Sequence, residues 1–134
     1  MSPNVIRSVV AKCFAATRTM DLDAWLACFA ENAVSYDPVD GPPLYGHAGL
    51  RQFFLGIAGA FTKVGLTEDH VFINGNRAAV KFTGRGTGKN GREVAFEGID
   101  VFEFNDQGTI QTFWGYWNPA AMMAQLQGSS VAGT

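Results

Sequence analysis

One alternating segment constrains the fold of this chain more than any other feature. Between residues 94 and 104, alternate positions carry Val94, Phe96, Gly98, Asp100, Phe102 and Phe104. This spacing predicts a long β-strand with one apolar face, and Glu97 and Glu103 fall on its other face. Because a carboxyl group among phenylalanines loses its hydration, we expect Asp100 to have a raised pKa and to stay protonated. A neutral acid donates hydrogen bonds, so Asp100 is a candidate for stabilising negative charge on a substrate oxygen.

Helical patterns come first along the chain, and strand patterns follow. The third of three N-terminal helical segments has an apolar stripe of Leu50, Phe53, Phe54, Ile57 and Phe61. Strands are predicted over residues 66–73, 77–86, 92–104 and 109–117, joined by turn sequences such as Asn74-Gly75 and Asn90-Gly91. A short helix from Pro119 to about Gln127 ends the pattern. This order predicts an α+β fold, in which a curved, mostly antiparallel sheet wraps the third helix and encloses a conical apolar pocket.

Composition limits the classes of function. The chain has 134 residues, 47% of them hydrophobic, with eleven phenylalanines and three tryptophans. We predict one domain over residues 1–134, with a flexible tail at 128–134. The formal charge of -2 and the scattered basic residues argue against nucleic acid as a partner. No apolar run is long enough for a membrane span or a signal core, so a cytoplasmic protein without membrane contact is expected.

Metal ligands and redox motifs are not predicted. Cys13 and Cys28 lack the spacing of a metal site or a Cys-x-x-Cys motif, and we expect both to be reduced core residues. His47 is interpreted as structural, and His70 has no second ligand nearby in sequence. We therefore expect neither a metal nor a cofactor.

Asp37 is the second candidate catalytic residue. It ends a short strand-like run, and Pro38 restricts its backbone to extended conformations, although such an aspartate is often only a turn residue. If Asp37 stays ionised near solvent while Asp100 stays neutral in the interior, the first can abstract a carbon-bound proton. The second can then stabilise the resulting enolate.

Several segments together resemble bacterial ketosteroid isomerase. They are Ala33–Pro38, Pro42–Gly46, Gly98–Phe104, Gly108–Gln111 and Gly115–Trp117. The order and spacing agree over roughly residues 5 to 120. The resemblance implies a cone-shaped, nuclear-transport-factor-2-like fold that is usually a homodimer. For that homodimer, the outer aromatic residues Trp114 and Tyr116 are candidate contacts.

The resemblance also assigns roles to the two acids. It implies that Asp37 is the general base, which moves a proton from the carbon next to a ketone to the remote end of the dienolate. Asp100 is then the protonated acid of the oxyanion hole. In ketosteroid isomerase itself a neutral carboxylic acid has this role, so that expectation is not independent of the resemblance. The residues expected to line the substrate cavity are Cys13, Phe14, Phe29, Phe54, Phe82, Phe96, Phe102, Phe113 and Trp117. Gly115 is expected to leave room for the ligand.

One departure from the family concerns its tyrosines. The principal oxyanion tyrosine falls at Cys13 or Phe14 here, and two supporting tyrosines fall at Phe29 and Phe54. Loss of one oxyanion donor typically costs on the order of 10²- to 10³-fold in rate, so a slow isomerase of a steroid-like ketone is predicted. Two alternatives stay open: a polyketide-type cyclase that uses the same aspartates, and a protein that binds a steroid-like ligand with little turnover.

Overall fold

The computed structural model describes residues 2–128, which form four helices and six strands. The helices are α1 (Pro3–Arg18), α2 (Leu22–Leu26), α3 (Gly46–Ala58) and α4 (Pro119–Gln127). The strands are β1 (Phe29–Tyr36), β2 (Leu44–Tyr45), β3 (Phe61–Asn74), β4 (Arg77–Gly88), β5 (Glu93–Phe104) and β6 (Ile110–Tyr116).

Side-chain caps fix where three of the helices begin. Ser2 accepts a hydrogen bond from the backbone N–H of Val5 at the start of α1, and Asp21 accepts one from Ala24 at the start of α2. Asn118 caps α4 in the same way, followed by a proline in the first turn. Gly128 ends α4 with a left-handed φ of 79°. The rest of the predicted tail, residues 129–134, lies outside the described residues.

All six strands form one curved sheet in the order β2-β1-β6-β5-β4-β3. Strands β1 and β6 run parallel, and every other neighbouring pair is antiparallel. Helix α1 packs along β3, α3 packs on β1, and α4 packs on β5. The α+β prediction of three N-terminal helices on a curved, mostly antiparallel sheet is confirmed.

The end of the third helix was predicted wrongly. Helix α3 stops at Ala58, and Gly59 provides its C-cap, so Phe61 is not part of the helical stripe. Phe61 instead begins β3 opposite Gly88 and packs with Val64 and Val94. Because Phe61 is buried in either assignment, hydrophobic spacing could not separate the last helical turn from the first strand residue. Strand β3 therefore starts five residues before the predicted position.

Two apolar clusters make up the core. The larger lies between α1, α2 and the middle of the sheet, and the smaller gathers Phe61, Val64, Val94, Met122 and Leu126 at the start of β5. Phe96 and Trp117 pack against both clusters. None of the helices in residues 2–128 is long and apolar enough to cross a membrane.

Candidate active site

Strand β5 presents Asp100 to the interior, as its alternation predicts. Asp100 is 5% exposed, and Phe102 and Phe104 on the same face are also buried. The two glutamates, Glu97 and Glu103, instead pair with basic residues on the outer face of the sheet. The strand therefore places one carboxyl group among aromatic side chains.

The parallel pairing of β1 with β6 brings the second acid to the first. Tyr36 lies opposite Trp114 in this register, so the next residue, Asp37, reaches the level of Gly115. Gly115 in turn lies directly opposite Asp100 on β5. The backbone N–H of Val39 donates to the carbonyl oxygen of Gly115 at 2.9 Å, which ties the segment after Asp37 to β6. Two acids 63 positions apart in sequence thus meet at one point of the sheet.

Gly115 leaves room for the carboxylate of Asp37, whereas the prediction was that it leaves room for the ligand. A Cβ atom at this position would lie 2.5 Å from Oδ1 of Asp37 and 3.0 Å from its Cγ. The first separation is shorter than real Cβ contacts and the second is tighter than most of them, so a side chain at residue 115 would displace the carboxylate. The glycine therefore allows Asp37 to pack directly on β6 beside Asp100.

Trp117 holds the Asp37 carboxylate in one orientation. Its indole Nε1–H donates a hydrogen bond of 2.5 Å to Oδ1 of Asp37. The indole also packs on Phe96, with ring centroids 5.4 Å apart. Since Oδ1 is occupied by the indole, Oδ2 is the oxygen available for proton transfer. The sequence predicted Trp117 only as a cavity-lining aromatic.

The two carboxyl groups have unlike protonation behaviour. Burial raises the pKa of Asp37 to about 6, while the hydrogen bond from Trp117 acts in the opposite direction. Burial raises the pKa of Asp100 well above its usual range, and the neighbouring charge of Asp37 raises it further. Among the described residues, 2–128, no side chain donates a hydrogen bond to Asp100, so Asp100 keeps the proton and Asp37 ionises first. Asp37 was expected near solvent, yet it is half-buried and its pKa is raised.

An apolar cavity opens in front of the two acids. The space between atoms in this cavity is about 840 Å³, counted out through its open mouth and so including solvent. All nine residues predicted to line it do so: Cys13, Phe14, Phe29, Phe54, Phe82, Phe96, Phe102, Phe113 and Trp117. Asp37 and Asp100 also lie on its wall. Their roles toward a ligand remain predictions.

Sequence reasoning missed about half of the cavity wall. The additional lining residues are Thr17, Met20, Trp25, Phe53, Ile57, Ala58, Val64, Gly65, Leu66 and Met122. Phe53 and Ile57 belong to the apolar stripe of α3, which could have indicated them. The others come from the end of α1 and the residues just after it, from α2, from the end of α3, from the start of β3 and from α4, which only the tertiary structure brings together.

Few polar atoms on the cavity wall are free to bind a ligand. The Thr17 hydroxyl donates to the carbonyl of Phe14 at 2.6 Å and accepts from the N–H of Leu66 at 2.9 Å, so its only donor is used. None of the three tyrosines lines the cavity: Tyr36 stacks on Trp114, and Tyr45 and Tyr116 are exposed. Within residues 2–128, the other side-chain polar groups of the wall are the Asp37 and Asp100 carboxyls, the Cys13 thiol, and the indole N–H groups of Trp25 and Trp117. The thiol is hydrogen-bonded to Cys28, and the indole of Trp117 to Asp37.

The two cysteines are free and buried, but they are not isolated from each other. A hydrogen bond with Cys28, together with burial, raises the pKa of Cys13 well above its usual range. The same hydrogen bond lowers the pKa of Cys28. A neutral thiol at Cys13 is only a weak hydrogen-bond donor to a ligand.

Neither histidine lies in the cavity wall. Nε2 of His47 is 2.9 Å from the carbonyl oxygen of Phe29, and His70 packs beside Phe72 on β3. Within residues 2–128, no three histidine, cysteine or acidic side chains are grouped as a metal site would require.

Helices on a curved mixed sheet, with an apolar cavity between them, define a nuclear-transport-factor-2-like protein. The chain belongs to the family of SnoaL-like domains, whose model matches residues 10–112. The finer assignment to ketosteroid isomerase rests on the residue resemblance alone.

Solved structures give the same fold class. A candidate polyketide cyclase from Xanthomonas campestris pv. campestris is 23% identical, with a TM-score of 0.81 over 92% of this chain and 97% of that one. The epoxide hydrolase/cyclase-like enzyme SalBIII, which has a role in pyran ring formation in the polyether salinomycin, is 27% identical. Its TM-score is 0.77 over 85% of this chain and 91% of its own. A nuclear-transport-factor-2-like protein of unknown function from Burkholderia pseudomallei K96243 is 23% identical, with a TM-score of 0.78 over 94% and 98% of the two chains.

Proposed function

We propose that this protein is an acid–base enzyme that moves a C=C bond allylic to a ketone in a flat, hydrophobic, steroid-like substrate. The observation that carries this proposal is that Asp37 and Asp100 both lie beside Gly115, on the wall of an otherwise apolar cavity. Their pKa values differ because burial and the charge of Asp37 raise the pKa of Asp100, whereas the hydrogen bond from Trp117 opposes the effect of burial on Asp37. One acid and one base are thus available at the same pH.

In the proposed mechanism Asp37 is the general base. With a pKa of about 6, it is mostly ionised at neutral pH and still basic enough to accept a proton from the carbon next to the ketone. Its free oxygen, Oδ2, takes this proton while the indole holds Oδ1. The same oxygen then returns the proton to the far end of the dienolate, so no proton is lost to solvent.

Asp100 is the proposed stabiliser of the dienolate oxygen. Its carboxyl group is neutral, lies on the cavity wall and makes no side-chain hydrogen bond of its own, so its O–H can point at the substrate oxygen. The apolar side chains around this hydrogen bond would make it stronger than the same bond in water. Because a thiol and two phenyl groups occupy the family's tyrosine positions, we expect turnover well below that of a typical ketosteroid isomerase.

Ring closure is the second candidate function, and the likeness to SalBIII at 27% identity favours it. A cyclisation would use the same two groups: Asp37 would remove a proton from the attacking atom, and Asp100 would protonate or hydrogen-bond the oxygen that gains charge. The apolar wall fits either substrate class. The two candidates differ in which bond forms, and therefore in the product.

The test is turnover of a Δ5-3-ketosteroid, followed by the absorbance of the conjugated enone. Asp37→Asn should abolish this absorbance change while leaving ligand binding intact, because asparagine cannot accept the proton. Binding of the steroid without turnover by the wild type would reject the isomerase in favour of a binding protein. A cyclised product from a polyketide-type or epoxide substrate would favour the second candidate. The predicted homodimer stays a prediction alongside these.

A further inference from the structure

The two cysteine thiols face two different hollows of the molecule. Cys13 lies on the buried face of α1 with Ile6 and Val10, and it lines the apolar cavity. Cys28 lies between α2 and β1, and it lines a second hollow, an open groove formed by α1, α2 and Gly108. Each hollow therefore has one thiol of the pair in its wall.

Hydrogen bonds fix Cys28 beside Cys13. The N–H of Cys28 donates to the carbonyl of Trp25 at 3.1 Å, and its carbonyl accepts from the N–H of Ile110 at 2.9 Å. Its thiol donates to the carbonyl of Ala24 at 3.5 Å, and its sulfur accepts a hydrogen bond from the thiol of Cys13. A hydrogen-bonded thiol pair holds its two sulfurs in contact, which is the arrangement in which one sulfur can attack the other.

The two thiols differ in reactivity. The hydrogen bond from Cys13 lowers the pKa of Cys28 against the opposite effect of burial, and the charge of Lys12 at the groove lowers it further. The pKa of Cys13 is raised by the same hydrogen bond and by burial, and the charges of Asp100 and Glu68 raise it more. Because the thiolate is the form that reacts with oxidants, Cys28 should react first while Cys13 keeps its proton.

The groove limits which oxidants can reach Cys28. The residue is 6% exposed, and alanines such as Ala24 and Ala27 make up much of the groove wall around it. Such an opening favours a molecule of the size of hydrogen peroxide over a bulky disulfide such as oxidised glutathione.

We propose that Cys28 is an oxidation site for hydrogen peroxide and small hydroperoxides, and that Cys13 is its resolving thiol. The Cys28 thiolate attacks one peroxide oxygen, the O–O bond breaks and hydroxide leaves, so that Cys28 becomes a sulfenic acid. The Cys13 sulfur then attacks the Cys28 sulfur, and the S–O bond breaks. The sulfenic hydroxyl leaves as water with the proton of Cys13. In total the two thiols give up two electrons and two protons, and hydrogen peroxide is reduced to two molecules of water.

The resulting disulfide changes the wall of the active-site cavity. It removes the S–H group of Cys13, which lies on the same wall as Asp100, and it joins α1 covalently to the residue before β1. Since Cys28 opens on the groove and Cys13 on the cavity, oxidation outside the cavity would alter a group inside it. This inference goes beyond the proposed function and does not depend on it.

The first experiment treats the reduced, folded full chain with hydrogen peroxide and follows its intact mass. We expect the mass to fall by two hydrogen atoms, one peptide pair joined through Cys13 and Cys28 in the digest, and full reversal by dithiothreitol. Oxidised glutathione at the same concentration should react at least about tenfold more slowly, because access to Cys28 is narrow.

A matched pair of variants tests which thiol reacts first. In Cys13→Ala the sulfenic acid at Cys28 has no resolving thiol, so dimedone should trap it there. In Cys28→Ala the same treatment should give no adduct at Cys13, because that thiol stays protonated. A measurement on the wild type avoids any effect of the substitutions on folding. With limiting iodoacetamide, Cys28 should be alkylated at least about tenfold faster than Cys13.

Several results would overturn the inference. They are retention of both thiols while only methionines are oxidised, a disulfide that joins two chains, and alkylation of Cys13 before Cys28. None of these measurements uses a steroid or an enone assay. A failure here therefore leaves the acid–base proposal intact, and a disulfide formed in a protein without turnover would support this inference while the isomerase is rejected.

Discussion

The hydrogen bond from Trp117 to Asp37 should control the pH dependence of turnover. In the wild type the base is active when ionised, so the rate should fall as the pH decreases through about 6. Trp117→Phe removes the Nε1–H donor while keeping an aromatic ring against Phe96. The hydrogen bond lowers the pKa of Asp37, so its loss should raise that pKa and move the acidic limb of the profile to higher pH.

The size of the change follows from the energy of the hydrogen bond. A hydrogen bond to a charged group contributes about 1.5–3 kcal/mol, and one pKa unit corresponds to about 1.36 kcal/mol. The acidic limb of the pH profile of Trp117→Phe should therefore move up by roughly one to two pH units, to roughly pH 7–8. At neutral pH the ionised fraction of Asp37 would then fall by roughly two- to tenfold, and turnover would fall with it.

The assay is the pH profile of kcat for the Δ5-3-ketosteroid, together with a ¹³C NMR titration of Asp37. Trp25→Phe is the matched control, because Trp25 also lines the cavity but packs on Phe29 and Phe54 and makes no hydrogen bond to Asp37. Its profile should keep the wild-type limb. An acidic limb that stays near its wild-type position in Trp117→Phe, with binding retained, would refute the assigned role of the indole.

Three further predictions follow from the same geometry. Gly115→Ala should lower turnover on the order of 10²-fold, because its Cβ would displace Asp37. The control is Gly56→Ala on α3, where a Cβ meets nothing within 4 Å, and it should be as active as the wild type and slightly more stable. Equal activity of both variants in the enone assay would contradict the packing argument. Asp100 retains a proton in the folded chain that the unfolded chain releases above about pH 4, so the free energy of unfolding should fall with rising pH until the raised pKa is passed. Thermal melts should show a smaller loss for Asp100→Asn than for the wild type as the pH rises above about 5, and parallel curves would show that Asp100 is not neutral. Asp100→Ala should reduce kcat roughly 10²- to 10³-fold. Cys13→Ala should reduce it less than tenfold, because a thiol is a weak hydrogen-bond donor. A larger loss of kcat in Cys13→Ala than in Asp100→Ala would make Cys13 the main oxyanion group.

The local periodicity of the sequence was enough to predict most of the secondary structure of this protein. The alternation of β5 placed Asp100 on the buried face, and the helical stripes and turn sequences located α1, α3 and the hairpins to within a few residues. These features depend on neighbours in sequence, so a pattern of two or 3.6 residues is enough to find them. Together with the family resemblance, they also gave nine residues of the cavity wall.

Only the tertiary structure decided how the site is assembled. The nearness of Asp37 to Asp100 depends on the parallel pairing of β1 with β6 and on the missing side chain of Gly115. The raised pKa of Asp37 depends on burial by residues distant in sequence, and the orientation of its carboxylate depends on an indole from the end of β6, the strand beside β1. Such contacts join positions that no local pattern relates, because a strand's partner and its register are set by the packing of the whole sheet.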